Sequence, residues 1–396
     1  VTERPVHAVV SSPGPLVARK VREALLGDGP AVLPLDPSLP APALRATLEA
    51  MRPTHLVTPG EVRALPGGVP AGDGVAVIIA TSGSTGTPKG VELTASALTA
   101  SATASLARLG ASPGERWLCC LPPSHVSGLQ VLVRATLGGS EPLVHERFDP
   151  EAVAASGAGH VSLVPTQLRR MLDAGADLSG FRTILLGGAA APPGLVEAAR
   201  RAGARVVGTY GMSETCGGCV YDGVPLDGVR ADVGPDGRIR VAGPVLFSGY
   251  RLRPDLTAAA LDGGRFVTSD LGTFQEGRLR VLGRVDDVIN TGGRKVLAGT
   301  VAGLLAGHPG VREAVVVGRP HPQWGQEVVA VVVAADPAAP PPLAELRSLV
   351  KTRLPGYAAP RALAVVDRLP LLPNGKHDLV AIRDEISGFV GTSDPS

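Results

Sequence analysis

The chain has 396 residues, 44% of them hydrophobic, enough for a sizeable buried core and for more than one domain. Its 38 basic and 36 acidic residues leave a formal charge of +2, which excludes a global nucleic-acid-binding pattern, and no apolar run of about 18 residues offers a membrane span. Four cysteines do not make a disulfide framework at this length, and the opening VTERPVHAVVSS has no basic-then-apolar export signal, so a reducing, cytoplasmic setting is expected.

Short apolar runs predict strands at HAVVSS (7–12), VAVIIAT (75–81), WLCCLP (117–122), HVSLVP (160–165), TILLGG (183–188) and RVVGTYG (205–211). Helical stretches lie between them: APALRATLEAM, TASALTASATASLARL and PPGLVEAARRAG. This alternation predicts an α/β fold with largely parallel sheets. Beyond residue 212 the texture changes. GRIRVAG, GRFVTSDLGTF and GRLRVLG read as short strands punctuated by glycine, a small β-rich subdomain. From about residue 287 a third texture begins. VAGLLAGHPGV and LAELRSLVKTRL read as helices, and EAVVVGR, EVVAVVVAA and ALAVVDRLPL as strands. That is a compact α+β unit, with AADPAAPPP (334–342) as a loop inside it. The expected domains are 1–285 and 286–396.

The stretch ATSGSTGTPKG (80–90) follows an apolar strand and precedes a helical run. Glycines let backbone N–H groups converge, hydroxyls add donors and a lysine adds charge, which together suit phosphate. It is no Walker loop, because Lys89 is followed by Gly90 where Ser or Thr is required. The chain has 33 arginines and only five lysines, Lys89, Lys295 and Lys376 standing beside glycine-rich turns. Four further segments are notable: TYGMSET (209–215), TSDL (268–271), GRVDDVINTGGRKV (283–296) and PLLPNGKHD (370–378). A tyrosine at a strand end can stack on a base, a nearby carboxylate can hold Mg²⁺, and an aspartate can accept from ribose hydroxyls.

In this order, from about Val75 to Asp378, the segments resemble the adenylate-forming enzymes: acyl-CoA synthetases, luciferases and peptide-synthetase adenylation domains. The resemblance implies a large N-terminal AMP-binding domain and a small mobile C-terminal domain. It implies ATP, Mg²⁺ and coenzyme A as co-substrates and cofactor, and a small carboxylic acid as the other partner. No nucleic acid is expected, and a homodimer is compatible with the chain. Thr81, Ser82, Gly83, Ser84, Thr85, Gly86, Thr87 and Lys89 would hold phosphates. Gly187, Gly188, Ala189, Thr209, Tyr210, Gly211, Met212 and Ser213 would frame the adenine. Glu214, with Thr85, would hold Mg²⁺. Asp270 and Arg284 would grip the ribose. Lys376 would bridge the attacking carboxylate and the α-phosphate as a point charge. Asp286 would be the hinge, after which Gly292, Gly293, Arg294 and Lys295 would line the thiol's path.

LPPSHVSGLQVLVRA and TYGMSETCGGCVYDGVPLDGV are similar to the branch of acid–CoA ligases that activates o-succinylbenzoate for menaquinone biosynthesis. This implies an acyl site formed by His125, Ser127, Gln130 and Arg134, with His125 closing the strand WLCCLPPSH as a catalytic gate. Gln130 and Arg134 share a helix face if 127–138 is helical. Cys216 and Cys219 form a C-x-x-C without a second pair of ligand spacing, and the resemblance places them beside the acyl pocket, which implies small packing residues. Another acid, a carrier-protein thiol as acceptor, and a non-catalytic nucleotide binder are the alternatives. Two departures are visible: LAGTVAGLL follows GGRKV where relatives have proline and an acidic residue, and T-S-D replaces T-G-D.

Overall fold

The computed structural model describes residues 3–82, 88–372, 375–387 and 392–393. Contacts divide the chain into two compact units. The first comprises Val1–Gly188, Ala198–Asp232 and Arg240–Val267; the second comprises Ala189–Glu197, Val233–Ile239 and Thr268–Ser396.

The first unit is built on two seven-stranded sheets. One runs in the spatial order Gly249–Tyr250, Pro88–Thr94, Val75–Ser82, Ala31–Leu35, Val6–Val10, His55–Thr58 and Glu61–Ala64. The other runs Val224–Pro225, Gly217–Tyr221, Val206–Met212, Thr183–Leu186, His160–Leu163, Trp117–Cys119 and Leu143–Val144. Central strands pair in parallel and are apolar on both faces, as in Val75–Ile79, which is wholly buried. Towards one edge of each sheet the pairing turns antiparallel: Pro88–Thr94 on Val75–Ser82, and Gly217–Tyr221 on Val206–Met212. The expectation of largely parallel sheets therefore holds for the interior and not for the margins that carry the glycine-rich motifs.

One prediction is corrected here. The glycine-rich stretch does not run from a strand directly into a helix. Ser82 pairs with Pro88 and Thr81 with Lys89, so a second strand, antiparallel to the first, stands between the stretch and the helix. The reason lies in VELT, where Val91 and Leu93 face the core in period-2 alternation. The helix begins only at Ala95, capped by the Thr94 hydroxyl, which accepts from Ala97 N at 3.1 Å, and ends on left-handed Gly110.

In the second unit, Val311–His321 and Gly325–Ala334 form a long hairpin, with Ala362–Val365 parallel to the latter. Alternating residues face two different layers. Val316, Val328, Ala330 and Val332 pack with Val301, Leu305, Leu346 and Val350 of helices Ala298–Leu305 and Leu343–Lys351. Val315, Val317, Val329 and Val331 pack against Ile382 and Ile386 of helix Leu379–Ser387. The proline-rich 334–342 stretch joins strand to helix within this unit. The hairpin of Asp270–Gln275 with Arg278–Arg284 also falls in this unit. Helix Ala298–Leu305 begins at Leu297 with no side-chain cap, the local consequence of LAGTV after GGRKV.

Candidate functional site

Three groupings of sequence-predicted residues emerge. The first surrounds the two antiparallel strands that flank the glycine-rich stretch. Gly83, Ser84, Thr85, Gly86 and Thr87, the side chain of Ser82, and Pro373 and Asn374 of the PNGK segment lie outside the described residues. Between these strands the Thr81 hydroxyl donates to Lys89 O at 3.3 Å. The Lys89 ammonium lies 4.8 Å from the centroid of the Tyr250 ring. The Tyr250 hydroxyl donates to Glu214 Oε1 at 2.8 Å. Glu214 sits in a single 3-10 turn, Ser213–Thr215, whose Thr215 hydroxyl donates to Gly217 O at 2.8 Å. Burial first, then the adjacent Glu214 carboxylate, pushes the Tyr250 phenol far above its ordinary range, so it stays a donor.

A carboxylate with one oxygen held by a phenol and no cationic partner among the described residues suits a hard divalent cation that keeps most of its waters. No group of three or more His, Cys, Asp or Glu among the described residues could hold a metal on its own. The chemistry of Glu214 fits Mg²⁺ bound largely by nucleotide phosphates, which would supply charge neutralisation to them.

The neighbouring strand Val206–Met212 carries Thr209, Tyr210, Gly211 and Met212, with Ser213 opening the turn. Thr209 backs Gly187, and a Cβ on Gly187 would lie 2.3 Å from its hydroxyl. Gly188 has φ +83°, a left-handed geometry that favours glycine. Ala189 follows as an exposed residue assigned to the other unit. A bulge between Tyr210 and Gly211 brings the two strands so close that a Cβ on Gly211 would lie 1.9 Å from Gly217 O. Gly211→Ala is therefore expected to lower unfolding free energy by about 2–4 kcal/mol through backbone displacement, read by urea denaturation. A midpoint equal to wild type would contradict that close approach.

The second grouping lies along helix Val126–Leu137, which meets the condition for Gln130 and Arg134 to share a helix face. His125 does not end a strand. The strand stops at Cys119, Pro122 and Pro123 cannot donate to a ladder, and His125 becomes the residue before the helix, its N–H donating to Pro122 O at 3.0 Å. Ser127 is half-buried in the first helical turn. Gln130 and Arg134 are buried. Gln130 Nε2 donates to Cys216 O at 2.6 Å while its Oε1 has no partner. Arg134 Nη2 donates to the Ser162 hydroxyl at 3.0 Å, its guanidinium lies 4.7 Å from the centroid of the Trp117 ring, and its Nε has no partner. Among the described residues no carboxylate pairs with Arg134, which is only 4% exposed. Burial depresses its pKa, opposed by Tyr221 and then Cys119. Cys216 and Cys219 are free, buried thiols; burial raises both, Cys219 to about 12, which fits packing rather than redox work.

The third grouping is in the second unit. Asp270 and Arg284 are direct strand partners, and Arg284 Nη1 donates to Asp270 Oδ1 at 3.4 Å. Asp270 is 8% exposed in mid-strand, its N–H donating to the Thr268 hydroxyl at 3.0 Å. Arg284 Nη2 also donates to Asp286 Oδ2 at 3.2 Å, within the 3-10 turn Val285–Asp287. Lys376 joins this pair. Its side chain is exposed, and its ammonium is held below the ordinary lysine range by local desolvation first and Arg284 second, with Asp270 opposing. Lys376 O accepts from Leu372 N at 2.8 Å, and the following His377 Nε2 meets Glu313 Oε2 at 3.3 Å. Gly292 and Gly293 form a left-handed turn between Val288–Thr291 and Arg294–Leu297. A Cβ on Gly292 would lie 2.8 Å from the Trp324 ring. Arg294 lies 5.9 Å from the centroid of the Tyr357 ring, and Lys295 is exposed.

Sequence reasoning missed Tyr250, Trp117 and Ser162. Each acts through a partner far along the chain. Nothing local in SGYRLRP says that its tyrosine hydroxyl meets a carboxylate 36 positions earlier.

Comparison with known proteins places these groupings in context. Residues 66–251 match the AMP-binding enzyme model and residues 301–376 match the AMP-binding enzyme C-terminal domain. A probable 2-succinylbenzoate–CoA ligase of Mycobacterium tuberculosis is 44% identical over 374 residues, covering 89% of this chain and 96% of that protein. A 2-succinylbenzoate–CoA ligase of Geobacillus kaustophilus is 37% identical over 328 residues, 75% of this chain and 66% of its own. The solved o-succinylbenzoate CoA synthetase of Bacillus subtilis, in complex with its acyl-adenylate intermediate, superimposes with a TM-score of 0.83 at 28% identity, covering 100% of this chain and 90% of that one. An amide bond synthetase from Marinactinospora thermotolerans gives 0.86 at 28% identity, with 98% and 90% covered. Two family models in chain order, and a relative matched over nearly its whole length, make this chain a member of the AMP-binding enzyme family.

Proposed function

We propose that this chain is an AMP-forming acid–CoA ligase that activates 2-succinylbenzoate. In the first half-reaction a carboxylate oxygen attacks the α-phosphorus of ATP, an acyl-adenylate forms and pyrophosphate leaves. In the second, the thiolate of coenzyme A attacks the acyl carbon and AMP leaves. A carboxylate is a poor electrophile, so the adenylate supplies the leaving group the thioester step needs.

The residues divide the work by charge. Lys376 neutralises the negative charge that builds between the attacking carboxylate and the α-phosphate. Asp270 and Arg284 orient the ribose, Glu214 holds Mg²⁺, and Thr81 and Lys89 serve the departing phosphates. Tyr210 stacks on adenine beside Gly187 and Gly188. Asp286 is the pivot between half-reactions, and Gly292, Gly293, Arg294 and Lys295 line the thiol path. Proline at 286 fixes φ. Asp286→Pro is expected to spare adenylation and abolish thioester formation, measured separately as pyrophosphate exchange and as CoA consumption. Equal loss of both in a folded variant would remove the pivot role.

The observation that carries the choice of acid is Arg134. A buried guanidinium without a carboxylate is costly unless a ligand supplies the anion. A substrate with a second carboxylate on its ring meets that need; a monocarboxylic acid does not. Ser162 and Gln130 offer further polar atoms nearby on the same helix and the adjacent strand.

The acceptor is the part the fold leaves open, because an amide bond synthetase shares this architecture. The test is acid-dependent ATP–pyrophosphate exchange over a panel of acids, followed by addition of coenzyme A. Exchange with 2-succinylbenzoate and formation of its thioester are expected. Exchange without thioester would point to a carrier-protein thiol or an amine. Exchange with another acid alone would overturn the substrate, and none with any acid would leave a nucleotide-binding relative.

A further inference from the structure

We infer that Tyr250 is a positioning residue that fixes the orientation of the Glu214 carboxylate. The inference rests on the reading of Glu214 as the Mg²⁺ ligand and goes beyond it, because it names what sets that ligand's geometry.

Two separate contacts from the 247–250 segment reach Glu214. Phe247 N–H donates to its carbonyl at 2.9 Å, and the Tyr250 hydroxyl donates to its side chain at 2.8 Å. Both ends of the glutamate are therefore held by one short segment. That segment is itself anchored. Gly249 and Tyr250 pair with Glu92 and Val91 of the strand that follows the glycine-rich stretch. Tyr250 N–H donates to the Thr257 hydroxyl at 2.8 Å. Next along, Arg251 is 2% exposed and donates to Met51 O at 2.5 Å and to Glu92 Oε1 at 3.1 Å. The Tyr250 ring packs edge-on against Phe247 at 4.9 Å, and Phe247 against Phe266 at 5.4 Å.

A lone carboxylate in a single 3-10 turn has free χ angles and samples several directions. The phenol removes that freedom by using one oxygen, which leaves the other as the lone-pair donor toward a cation. The ring face meanwhile lies under the Lys89 ammonium, so the same side chain contacts a phosphate-side cation and a metal-side anion. Partners of metal ligands commonly set affinity by this route, with losses of about 10- to 100-fold when removed.

The test uses the full chain with Mn²⁺ as the probe and a non-hydrolysable ATP analogue, so that nothing turns over. Mn²⁺ affinity is read by electron paramagnetic resonance, and folding by circular dichroism. Tyr250→Phe keeps the ring and loses only the hydroxyl; it is expected to bind Mn²⁺ about tenfold more weakly. Glu214→Gln is expected to bind it more weakly still, and the double variant no worse than Glu214→Gln alone. If Glu214→Gln weakens Mn²⁺ while Tyr250→Phe matches wild type, the positioning role is lost and the metal reading stands. If neither variant changes Mn²⁺ affinity, the metal reading of Glu214 fails first. A second measurement needs no folded variant at 250. Mn²⁺ added to the wild-type protein is expected to perturb the tyrosine ultraviolet spectrum, and this change should be absent in Glu214→Gln. A metal-bound wild type with an unperturbed tyrosine spectrum would overturn the inference.

Discussion

Lys376→Gln is expected to slow acyl-adenylate formation by about 10²–10³-fold, the usual loss when one preorganised electrostatic contact to a transition state is removed. Thioester formation from pre-formed acyl-adenylate is expected to stay within a few-fold of wild type, because the proposed role belongs to the first half-reaction alone. Single-turnover quench measurements separate the two. Native-rate adenylation in the variant would end the assignment.

The surroundings of Lys376 add a pH dependence. Local desolvation and Arg284 favour the neutral amine, and Asp270 favours the ammonium, with a net pKa below the ordinary lysine range. The alkaline limb of kcat/KM for adenylation, which reports the free enzyme, is therefore expected below that range. Arg284→Met removes a like charge and should move the limb up; Asp270→Asn removes an opposite charge and should move it down. Stability follows the same sign. In the window between the lowered folded pKa and the ordinary unfolded one, the unfolded chain binds the extra proton. This group's contribution therefore grows more favourable as pH rises through that window and is least favourable below it. A limb unmoved by both substitutions would show that it reports another group.

Arg134→Met is expected to lower kcat/KM for 2-succinylbenzoate by about 30- to 1000-fold, the range for truncating one partner of a buried, hydrogen-bonded charge pair. The acid that lacks the ring carboxylate, 4-oxo-4-phenylbutanoate, should lose much less and could overtake it in the variant. The free protein should respond in the opposite direction. A buried cation without an anion is a burden in the absence of substrate, so an apolar side chain of similar length should be neutral or stabilising by about 1–3 kcal/mol. Urea denaturation without ligand reads this. Equal loss on both acids, or a clear drop in ligand-free stability, would make Arg134 a structural arginine held by Trp117 and Ser162.

Much of the architecture was legible in the chain because it rests on local periodicity. The runs at Val75–Ile79 and at Val328–Val332 are short, rich in valine and isoleucine and apolar on consecutive positions, as strands buried on both faces are. The helices at Ala41–Met51 and Ala95–Leu109 were likewise read from their patterns. The antiparallel pairing of Thr81 with Lys89 was not. Its return strand, PKGVELT, merges in sequence with the helix that follows, and only pairing with Val75–Ser82 separates them. His125 moved from strand to helix entry for a similar reason: two prolines end the ladder before the apolar pattern does.

The order of the motifs along the chain, and with it the family, was determined by the sequence alone. Each motif is a short run whose backbone and side-chain chemistry needs few outside partners. The contacts that tune those groups were decided by tertiary structure. Tyr250 reaches Glu214, Trp117 and Ser162 hold Arg134, and Arg284 and Asp270 act in opposite directions on the Lys376 ammonium. For Glu214 and Arg134, strand pairing and core packing bring together residues distant in sequence, and burial then restricts their orientation by removing competing water.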